Sequence, residues 1–101
     1  MKVRLCDIQY GEREIPLEKL PALVGRGLDA EIRVLDRFAS RHHCEISERG
    51  GALYVRDLES MNGSFVNGCF AKESSLRPGD TLSIGATTFV VSYETSNDCP
   101  K

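Results

Sequence analysis

Apolar and polar residues alternate along most of this chain in short runs. Val3 and Leu5 fall on one face of the run at 2–8, and Phe89, Val91 and Tyr93 do the same near the C-terminus. Alternation with a period of two is typical of β-strands that bury one face. The pattern therefore predicts a strand at each end of the chain.

Further short apolar runs lie between these ends, at 23–24, 32–34, 43–47, 53–55 and 82–84. The runs at 23–24 and 82–84 stop at Gly25 and Gly85, and Pro78-Gly79 supplies a turn before the run at 82–84. Asn67-Gly68 predicts a type I′ hairpin, because both central residues of that turn take positive φ and apolar residues flank the pair. Asn62-Gly63 follows a polar loop, so we interpret it as a shaped loop end and not as a second hairpin.

The spacing of proline argues against a helix near the N-terminus. Pro16 and Pro21 each remove a backbone donor and fix their own φ. No other segment has a helical pattern of ten residues, and neither repeats nor low-complexity segments occur. Many short, closely spaced strands indicate an all-β sandwich or barrel. We predict one domain over 1–94 and a polar, flexible tail over 95–101.

Composition limits the possible partners and compartment. The 101 residues are 41% hydrophobic and 28% charged, which suits one domain with one modest core. The formal net charge of -2 provides no overall positive field, so we expect no nucleic-acid partner and only a local anion site. Neither a signal-peptide core nor an apolar stretch of membrane-spanning length occurs, and the expectation is a cytoplasmic protein without membrane contact.

The four cysteines are far apart and do not form a disulfide framework of the secreted type. Cys6 and Cys44 lie in strand-like runs, and we interpret both as small buried side chains. His42, His43, Cys44 and a remote cysteine are zinc-ligand types, but no CxxC or HxxxH spacing is present. Adjacent strand positions also point to opposite faces. We therefore expect no metal ion and no cofactor.

Residues suited to binding a phosphate fall between the predicted strands. Arg26 offers a permanently charged fork of donors, and Arg41 offers a second cation. Ser40 supplies a compact hydroxyl, and the amide of Asn62 can both donate to and accept from an extended peptide. The same residue types also occur as solvated surface arginines and turn asparagines, so the residues taken singly leave both interpretations open.

Five groups of residues in a fixed order extend this observation over most of the chain. They are Gly25-Arg26, Ser40-Arg41-x-His43, Asn62-Gly63-Ser64, Val66-Asn67-Gly68 and Leu76-x-x-Gly79-Asp80-x-Leu82-x-Ile84-Gly85. With them, the stretch 23–93 resembles a forkhead-associated (FHA) domain, a phosphothreonine-binding module. The resemblance implies a two-sheet β-sandwich of about eleven short strands, with its binding loops at one end. It also implies a non-catalytic module whose partner is a phosphothreonine-containing protein or peptide, such as a Ser/Thr kinase or its substrate.

The resemblance also assigns roles to individual residues. The implied phosphopeptide-binding residues are Arg26, Ser40, Arg41, Met61 and Asn62. The implied supporting residues are Gly25, His43, Gly63, Ser64, Asn67 and Gly68, and among them His43 matches a histidine that holds the loops by hydrogen bonds.

Two positions depart from the pattern of relatives. Met61 stands where several relatives carry a hydroxyl that donates to the phosphate, and the loss of such a bond costs about 1.5–3 kcal/mol if nothing replaces it. Phe38 stands where a relative that selects an acidic residue carries arginine. Phe38 therefore indicates either an apolar preference or no preference downstream of the phosphothreonine.

Two other classes of function remain as alternatives. A phosphate-independent interaction domain with the same fold would explain Met61. A hydrolase could combine His43 with Ser40 or Cys44, but no nucleophile elbow, metal-ligand spacing or motif-placed carboxylate accompanies them. We rank the phosphothreonine-binding module first and the hydrolase last.

Overall fold

The computed structural model describes residues 3–7, 11–15 and 20–93, and within these ranges it contains strands and no helix. Accordingly, the described ranges include no helix long and apolar enough to cross a membrane. The eleven strands are β1 (Val3–Asp7), β2 (Gly11–Ile15), β3 (Ala22–Gly25), β4 (Ile32–Arg33), β5 (Cys44–Arg49), β6 (Ala52–Asp57), β7 (Ser64–Val66), β8 (Cys69–Phe70), β9 (Glu73–Leu76), β10 (Thr81–Ile84) and β11 (Thr87–Tyr93).

The strands form two sheets, which confirms the predicted all-β sandwich. The six-stranded sheet has the order β2-β1-β11-β10-β7-β8, and the five-stranded sheet has the order β4-β3-β5-β6-β9. The described strand pairs are antiparallel except for β3 and β4, which run parallel. The chain passes from the five-stranded sheet to the six-stranded sheet in the β6–β7 loop.

Inward-facing residues of both sheets form the core, at the positions that the alternation predicted and at Leu76 of β9. The fully buried side chains include Val3, Leu5, Val24, Ile46, Leu53, Leu76, Leu82, Ile84, Phe89 and Val91. The prediction for Cys44 is confirmed, since it is fully buried. The prediction for Cys6 was wrong: it is exposed, because Val3 and Leu5 occupy the inner face of β1 and Cys6 falls on the outer one.

The strand register brings four connections to one end of the sandwich, which we call the loop end. Cys44, at the start of β5, pairs with Asp57, at the end of β6. Ser64, at the start of β7, pairs with Ile84, at the end of β10. The loop end therefore consists of the β3–β4, β4–β5 and β6–β7 loops and the β10–β11 turn.

A buried ring with polar atoms joins the two sheets at each end of the sandwich. At the far end, the Tyr93 hydroxyl on β11 donates to the Leu76 carbonyl at 2.7 Å and accepts from the Leu53 amide at 3.3 Å. Both partners belong to the five-stranded sheet. At the loop end, the ring of the fully buried His43 contacts backbone groups of two different loops. Each ring thus satisfies backbone groups that the core would otherwise leave without partners.

The turns follow the sequence in most places. Asn67 and Gly68 have φ of 52° and 83° and join β7 to β8, as predicted for a type I′ hairpin. Gly63 has a φ of 88° in a loop and not in a hairpin, which is also as predicted. The short strand β9 was not predicted individually. The predicted tail at 95–101 lies outside the described residues.

Candidate functional site

The β3–β4 and β4–β5 loops lie directly against each other at the loop end. The Arg26 amide donates to the Ser40 carbonyl at 2.9 Å, and the Gly27 amide donates to the Arg41 carbonyl at 3.1 Å. A Cβ at Gly25 would overlap the Arg41 carbonyl oxygen and lie 2.9 Å from that of Ser40. Glycine at position 25 is therefore what allows these two loops to meet.

The guanidinium of Arg26 is held from one side only. Its Nε donates to the Ala39 carbonyl at 3.0 Å, and no other described residue hydrogen-bonds to its terminal nitrogens. Fixing Nε orients the guanidinium plane and leaves the two terminal nitrogens for an outside acceptor. Arg41, one residue beyond Ser40, is exposed, and its guanidinium forms no hydrogen bond to any part of the chain that the structure describes. The two cations therefore remain available to an anion.

Ser40 connects the β4–β5 loop to the β6–β7 loop. Its Oγ accepts a hydrogen bond from the Met61 amide at 3.0 Å. A hydroxyl has one hydrogen to donate as well as lone pairs to accept with. The Met61 amide therefore fixes the position of Oγ while leaving its hydrogen for a ligand. The Met61 side chain itself is 86% exposed and carries no donor.

The buried imidazole of His43 bridges the β4–β5 and β6–β7 loops. Its Nδ1 accepts from the Ser40 amide at 3.0 Å, and its Nε2 lies 2.8 Å from the Gly63 carbonyl oxygen. Because the Ser40 amide can only donate and a carbonyl can only accept, the hydrogen must sit on Nε2. His43 is therefore a neutral tautomer with both nitrogens occupied, and it links β5 of one sheet to the start of β7 in the other.

A carboxylate organises the β6–β7 loop. Asp57 accepts hydrogen bonds from the Ser60 amide at 3.0 Å, the Ser60 hydroxyl at 2.6 Å and the Ser64 hydroxyl at 2.7 Å. The Gly63 amide in turn donates to Ser60 Oγ at 2.8 Å. Burial raises the pKa of the Asp57 carboxyl, but the bonds from Ser60 and Ser64 outweigh burial and leave the pKa below its ordinary value of 3.8.

The Asn62 amide is held at the outer surface of this loop. Its Nδ2 donates to the Phe38 carbonyl at 2.8 Å, which fixes the orientation of the group. The amide oxygen then faces no partner among the described residues, and Asn62 is exposed. This acceptor and the second Nδ2 hydrogen remain for a peptide backbone.

A second carboxylate, which sequence analysis did not single out, fixes the β4–β5 loop. Asp36 accepts from the Phe38 amide at 2.9 Å, the Ala86 amide at 2.8 Å and the Thr87 hydroxyl at 2.8 Å. Burial raises the pKa of this carboxyl, but these bonds outweigh it and leave the pKa lowered. Asp36 thereby ties the loop that carries Phe38 to the β10–β11 turn. Sequence analysis also missed Asp57, although the Asp-x-x-Ser spacing is typical of a carboxylate that caps a loop.

The structure brings most of the predicted site residues together at the loop end, with two exceptions. Arg26, Ser40, Arg41, Met61 and Asn62 all lie there, supported by Gly25, His43, Gly63 and Ser64. Asn67 and Gly68 lie at the other end of β7. The Asn67 amide group there donates to Asp80 at 3.1 Å and accepts from the Thr81 amide at 3.0 Å, so these two residues shape the far end.

The residues considered for catalysis or zinc binding do not converge. His42 is exposed and pairs with Asp29 at 2.9 Å, whereas His43 and Cys44 are fully buried. Burial raises the pKa of the Cys44 thiol to about 12, which keeps it protonated and unreactive at neutral pH. In 3–7, 11–15 and 20–93, no group of three or more His, Cys, Asp or Glu side chains could hold a metal ion.

This chain is similar to known proteins in both sequence and structure. The family model described as FHA domain matches residues 22–85. The FHA domain-containing protein FhaA of Mycobacterium tuberculosis is 38% identical over 69 residues, which are 68% of this chain and 13% of FhaA. The chain thus spans a small part of the length of that relative.

Solved structures agree with the sequence comparison. An FHA domain from a structural and functional analysis of phosphothreonine-dependent FHA domain interactions superimposes with a TM-score of 0.84 at 32% identity, covering 93% of this chain and 98% of that one. The FhaA FHA domain complexed with the intracellular domain of Rv3910 gives a TM-score of 0.80 at 34% identity, covering 88% of this chain and 98% of that one. The model match, the sequence identity and the shared sandwich lead to one conclusion: this chain belongs to the FHA domain family.

Proposed function

We propose that this chain binds a phosphothreonine-containing segment of a partner protein at its loop end and performs no chemistry on it. The partner would be a Ser/Thr kinase or a protein that such a kinase phosphorylates. The proposed binding residues are Arg26, Ser40, Arg41, Met61 and Asn62. Gly25, His43, Gly63 and Ser64 would support them.

This proposal rests on hydrogen-bond donors at the loop end that are fixed in position and still open to a ligand. The Arg26 guanidinium is anchored through Nε to Ala39 at 3.0 Å, and its terminal nitrogens have no partner among the described residues. The adjacent Ser40 hydroxyl is anchored by the Met61 amide at 3.0 Å and keeps its own hydrogen. Charged and neutral donors that are fixed before a ligand arrives bind a phosphate without paying the full ordering cost.

Phosphorylation of the partner would act as the switch. A phosphate adds about −1.5 to −2 charge and three strong acceptor oxygens to a threonine. Arg26 would contact two of these oxygens, Ser40 would donate to the phosphate, and Arg41 would add charge at the rim. Asn62 would pair with the partner's main chain, since its amide oxygen and one amide hydrogen remain open. Met61 would contribute its backbone position and an apolar surface.

Relatives support this assignment. One structural neighbour comes from work on phosphothreonine-dependent FHA domain interactions, and another is an FHA domain bound to the intracellular domain of Rv3910. Both are more than 30% identical to this chain. A cytoplasmic location would give the domain access to intracellular kinases and their products, and we propose that location.

The proposal that the domain is non-catalytic rests on the state of its candidate nucleophiles and base. Both nitrogens of His43 are engaged by backbone groups, and its bond to Ser40 goes to the amide and not to the hydroxyl. The buried Cys44 thiol has a pKa raised to about 12. His43 is therefore not positioned as a base for Ser40 or for Cys44.

A phosphate-independent interaction domain is the second candidate, and the observation that favours it is Met61. This side chain is 86% exposed at the site and offers no hydrogen bond to a phosphate. If the remaining donors were insufficient, the loop end would bind modified and unmodified partners equally.

Titration of a phosphothreonine peptide library and its unphosphorylated counterpart separates the two candidates. We expect binding of the phosphorylated library alone, and a loss of about 100-fold, or about 2.7 kcal/mol, in Arg26→Ala. Arg77→Ala is the matched control, because Arg77 is an exposed arginine beside the Pro78-Gly79 turn at the far end. Equal binding of both libraries by the folded wild type would overturn the proposal and favour the phosphate-independent domain.

A further inference from the structure

The side chain of His42 forms an ion pair with Asp29 across two loops of the loop end. Its Nε2 lies 2.9 Å from Oδ2 and 3.2 Å from Oδ1 of Asp29. His42 belongs to the β4–β5 loop and Asp29 to the β3–β4 loop, and both side chains are more than half exposed. Histidine is the side chain whose charge ordinarily changes between about pH 5 and 8. The pair is therefore neutral overall when His42 is protonated and negative when it is not.

This ion pair lies beside the two arginines that are proposed to bind the phosphate. A Cβ at Gly27 would lie 2.8 Å from Asp29 Oδ1 and 3.4 Å from Arg41 Cβ, so the carboxylate is close to the base of the Arg41 side chain. Gly27 directly follows Arg26, and its amide donates to the Arg41 carbonyl at 3.1 Å. A phosphate held by both arginines would therefore lie near the Asp29 charge, and exposed charges act on each other over roughly 8 Å at physiological salt.

The other charged groups near His42 either have other partners or belong to the proposed site. In the part of the chain that the structure describes, Asp29 is the one charged side chain within ion-pair distance of His42. Glu31, which precedes β4, accepts from a backbone amide of β3 at 2.7 Å, and Arg33 Nε donates to a backbone carbonyl at 3.1 Å. The stretch 60–62 of the β6–β7 loop is uncharged. Protonation of His42 is therefore what changes the charge of this surface near neutral pH.

We propose that the Asp29–His42 pair makes phosphopeptide binding sensitive to pH, so that the domain holds a phosphorylated partner more tightly when His42 takes up a proton. While His42 is neutral, the Asp29 carboxylate repels the phosphate from beside the two arginines. A protonated His42 offsets that repulsion with an attraction of its own. By linkage, the bound phosphopeptide favours the protonated form of His42 to the same extent. This inference rests on the proposed function and adds a regulation of the same site.

The test is calorimetric titration of one phosphothreonine peptide that binds the wild type, at about pH 7.5 and about pH 6. The peptide phosphate has a second pKa of about 6 and loses charge over this range, but that loss is common to all variants. His42→Gln keeps a donor for Asp29 and cannot be protonated, so its affinity should fall about threefold more on acidification than that of the wild type. Asp29→Asn removes the repelling charge and should bind about threefold more tightly than the wild type at the higher pH.

Glu48→Gln is the matched control for the loss of a carboxylate. Glu48 is an exposed residue near the end of β5, at the far end of the sandwich, and its Oε2 accepts a hydrogen bond from the Gly51 amide at 2.8 Å. The amide oxygen of glutamine can accept the same bond while the charge is lost. Because this charge is far from the loop end, its removal should leave phosphopeptide affinity unchanged at both pH values.

Proton exchange distinguishes this electrostatic role from a merely structural one. Titration in two buffers of different ionisation enthalpy gives the number of protons exchanged on binding. At about pH 6.5, binding to the wild type should take up more protons, or release fewer, than binding to His42→Gln. The difference in affinity between the two proteins should also shrink at about 1 M salt, where exposed charges are screened within about 3 Å.

The outcomes separate this inference from the function on which it rests. Phosphate-dependent binding with the same pH dependence and proton exchange in the wild type and His42→Gln overturns the inference alone. Folded Asp29→Asn that binds no more tightly than the wild type at the higher pH also overturns it, since the carboxylate would then not repel the phosphate. If Asp29→Asn does not fold, as judged by circular dichroism, His42→Gln decides. Wild-type binding that ignores the phosphate overturns the proposed function and this inference together.

Discussion

His43 offers the sharpest test of how the loop end is held together. His43→Ala removes the hydrogen bonds to the Ser40 amide at 3.0 Å and the Gly63 carbonyl at 2.8 Å, both made by a fully buried ring. Each group left without a partner costs about 1–3 kcal/mol. The two together give a loss of about 2–6 kcal/mol, a large part of the roughly 5–15 kcal/mol that stabilises a typical domain.

Two further substitutions divide that loss between the loops. In His43→Asn, the amide oxygen can take the place of Nδ1 and keep the bond to Ser40, while the bond to Gly63 is lost. In His43→Gln, the longer amide can take the place of Nε2 and keep the bond to Gly63, while the bond to Ser40 is lost. Each variant should therefore lose about 1–3 kcal/mol, less than His43→Ala.

The assay is urea unfolding followed by circular dichroism, with the slope of the transition compared between variants to verify that the same surface is exposed. Phosphopeptide affinity is then measured well below each unfolding midpoint, where we expect weaker binding because Ser40 and Gly63 are no longer joined. A cost below about 1 kcal/mol for His43→Ala would contradict the two hydrogen bonds as the reason for its burial. Asn and Gln variants no more stable than the Ala variant would contradict the assignment of one loop to each nitrogen.

Three more predictions follow from the same contacts. Gly25→Ala should abolish phosphopeptide binding and lower the melting temperature, because the methyl group of alanine would overlap the Arg41 carbonyl. Calorimetry would measure the binding and scanning fluorimetry the melting temperature, and unchanged binding would contradict the prediction. Because the pKa of Asp57 is lowered in the folded state, the carboxylate contributes its full stability above the ordinary pKa of 3.8, and this contribution is lost as the pH falls below that value. Asp57→Asn should therefore be less stable than the wild type at pH 7 and should lose less stability on acidification. Parallel acid-unfolding curves for the two proteins would contradict this prediction. Gly68→Ala should cost about 1–2 kcal/mol, since a side chain at a φ of 83° is strained, and should leave phosphopeptide affinity unchanged at the far end; a change in affinity would show that the two ends are coupled.

The sandwich could be predicted from the sequence because apolar residues alternate with polar ones along most of its strands, and this alternation marks the buried face. The same rule explains the misplaced core residue Cys6: once Val3 and Leu5 face inward, Cys6, which follows Leu5 directly, must face outward. Strand β9 escaped prediction because only Leu76 in it is apolar, so it has no alternation to detect. Its place in the sheet comes from pairing with β6.

The positions of the site residues were predictable in part. Motif order grouped Asn67 and Gly68 with the site, but they are separated from Gly63 by the whole of β7 and so lie at the far end. The role of Asp36 in joining two loops was missed because its partners Ala86 and Thr87 are 50 and 51 residues away, and contacts so distant leave no local pattern. The pairing of each loop with its neighbour is a property of the tertiary structure alone.

Because the β6–β7 loop crosses from one sheet to the other, ligand binding at the loop end should depend on the docking of the two sheets. Arg26 and Ser40 lie in loops of the five-stranded sheet, whereas Asn62 lies just before Gly63 and β7 of the six-stranded sheet. A peptide that contacts all three binds only while the sheets are docked, and by mass action it stabilises the docked state by about 2.7 kcal/mol at 100 times its Kd. Amide hydrogen exchange should then slow together in both sheets, including strands far from any contact with the peptide.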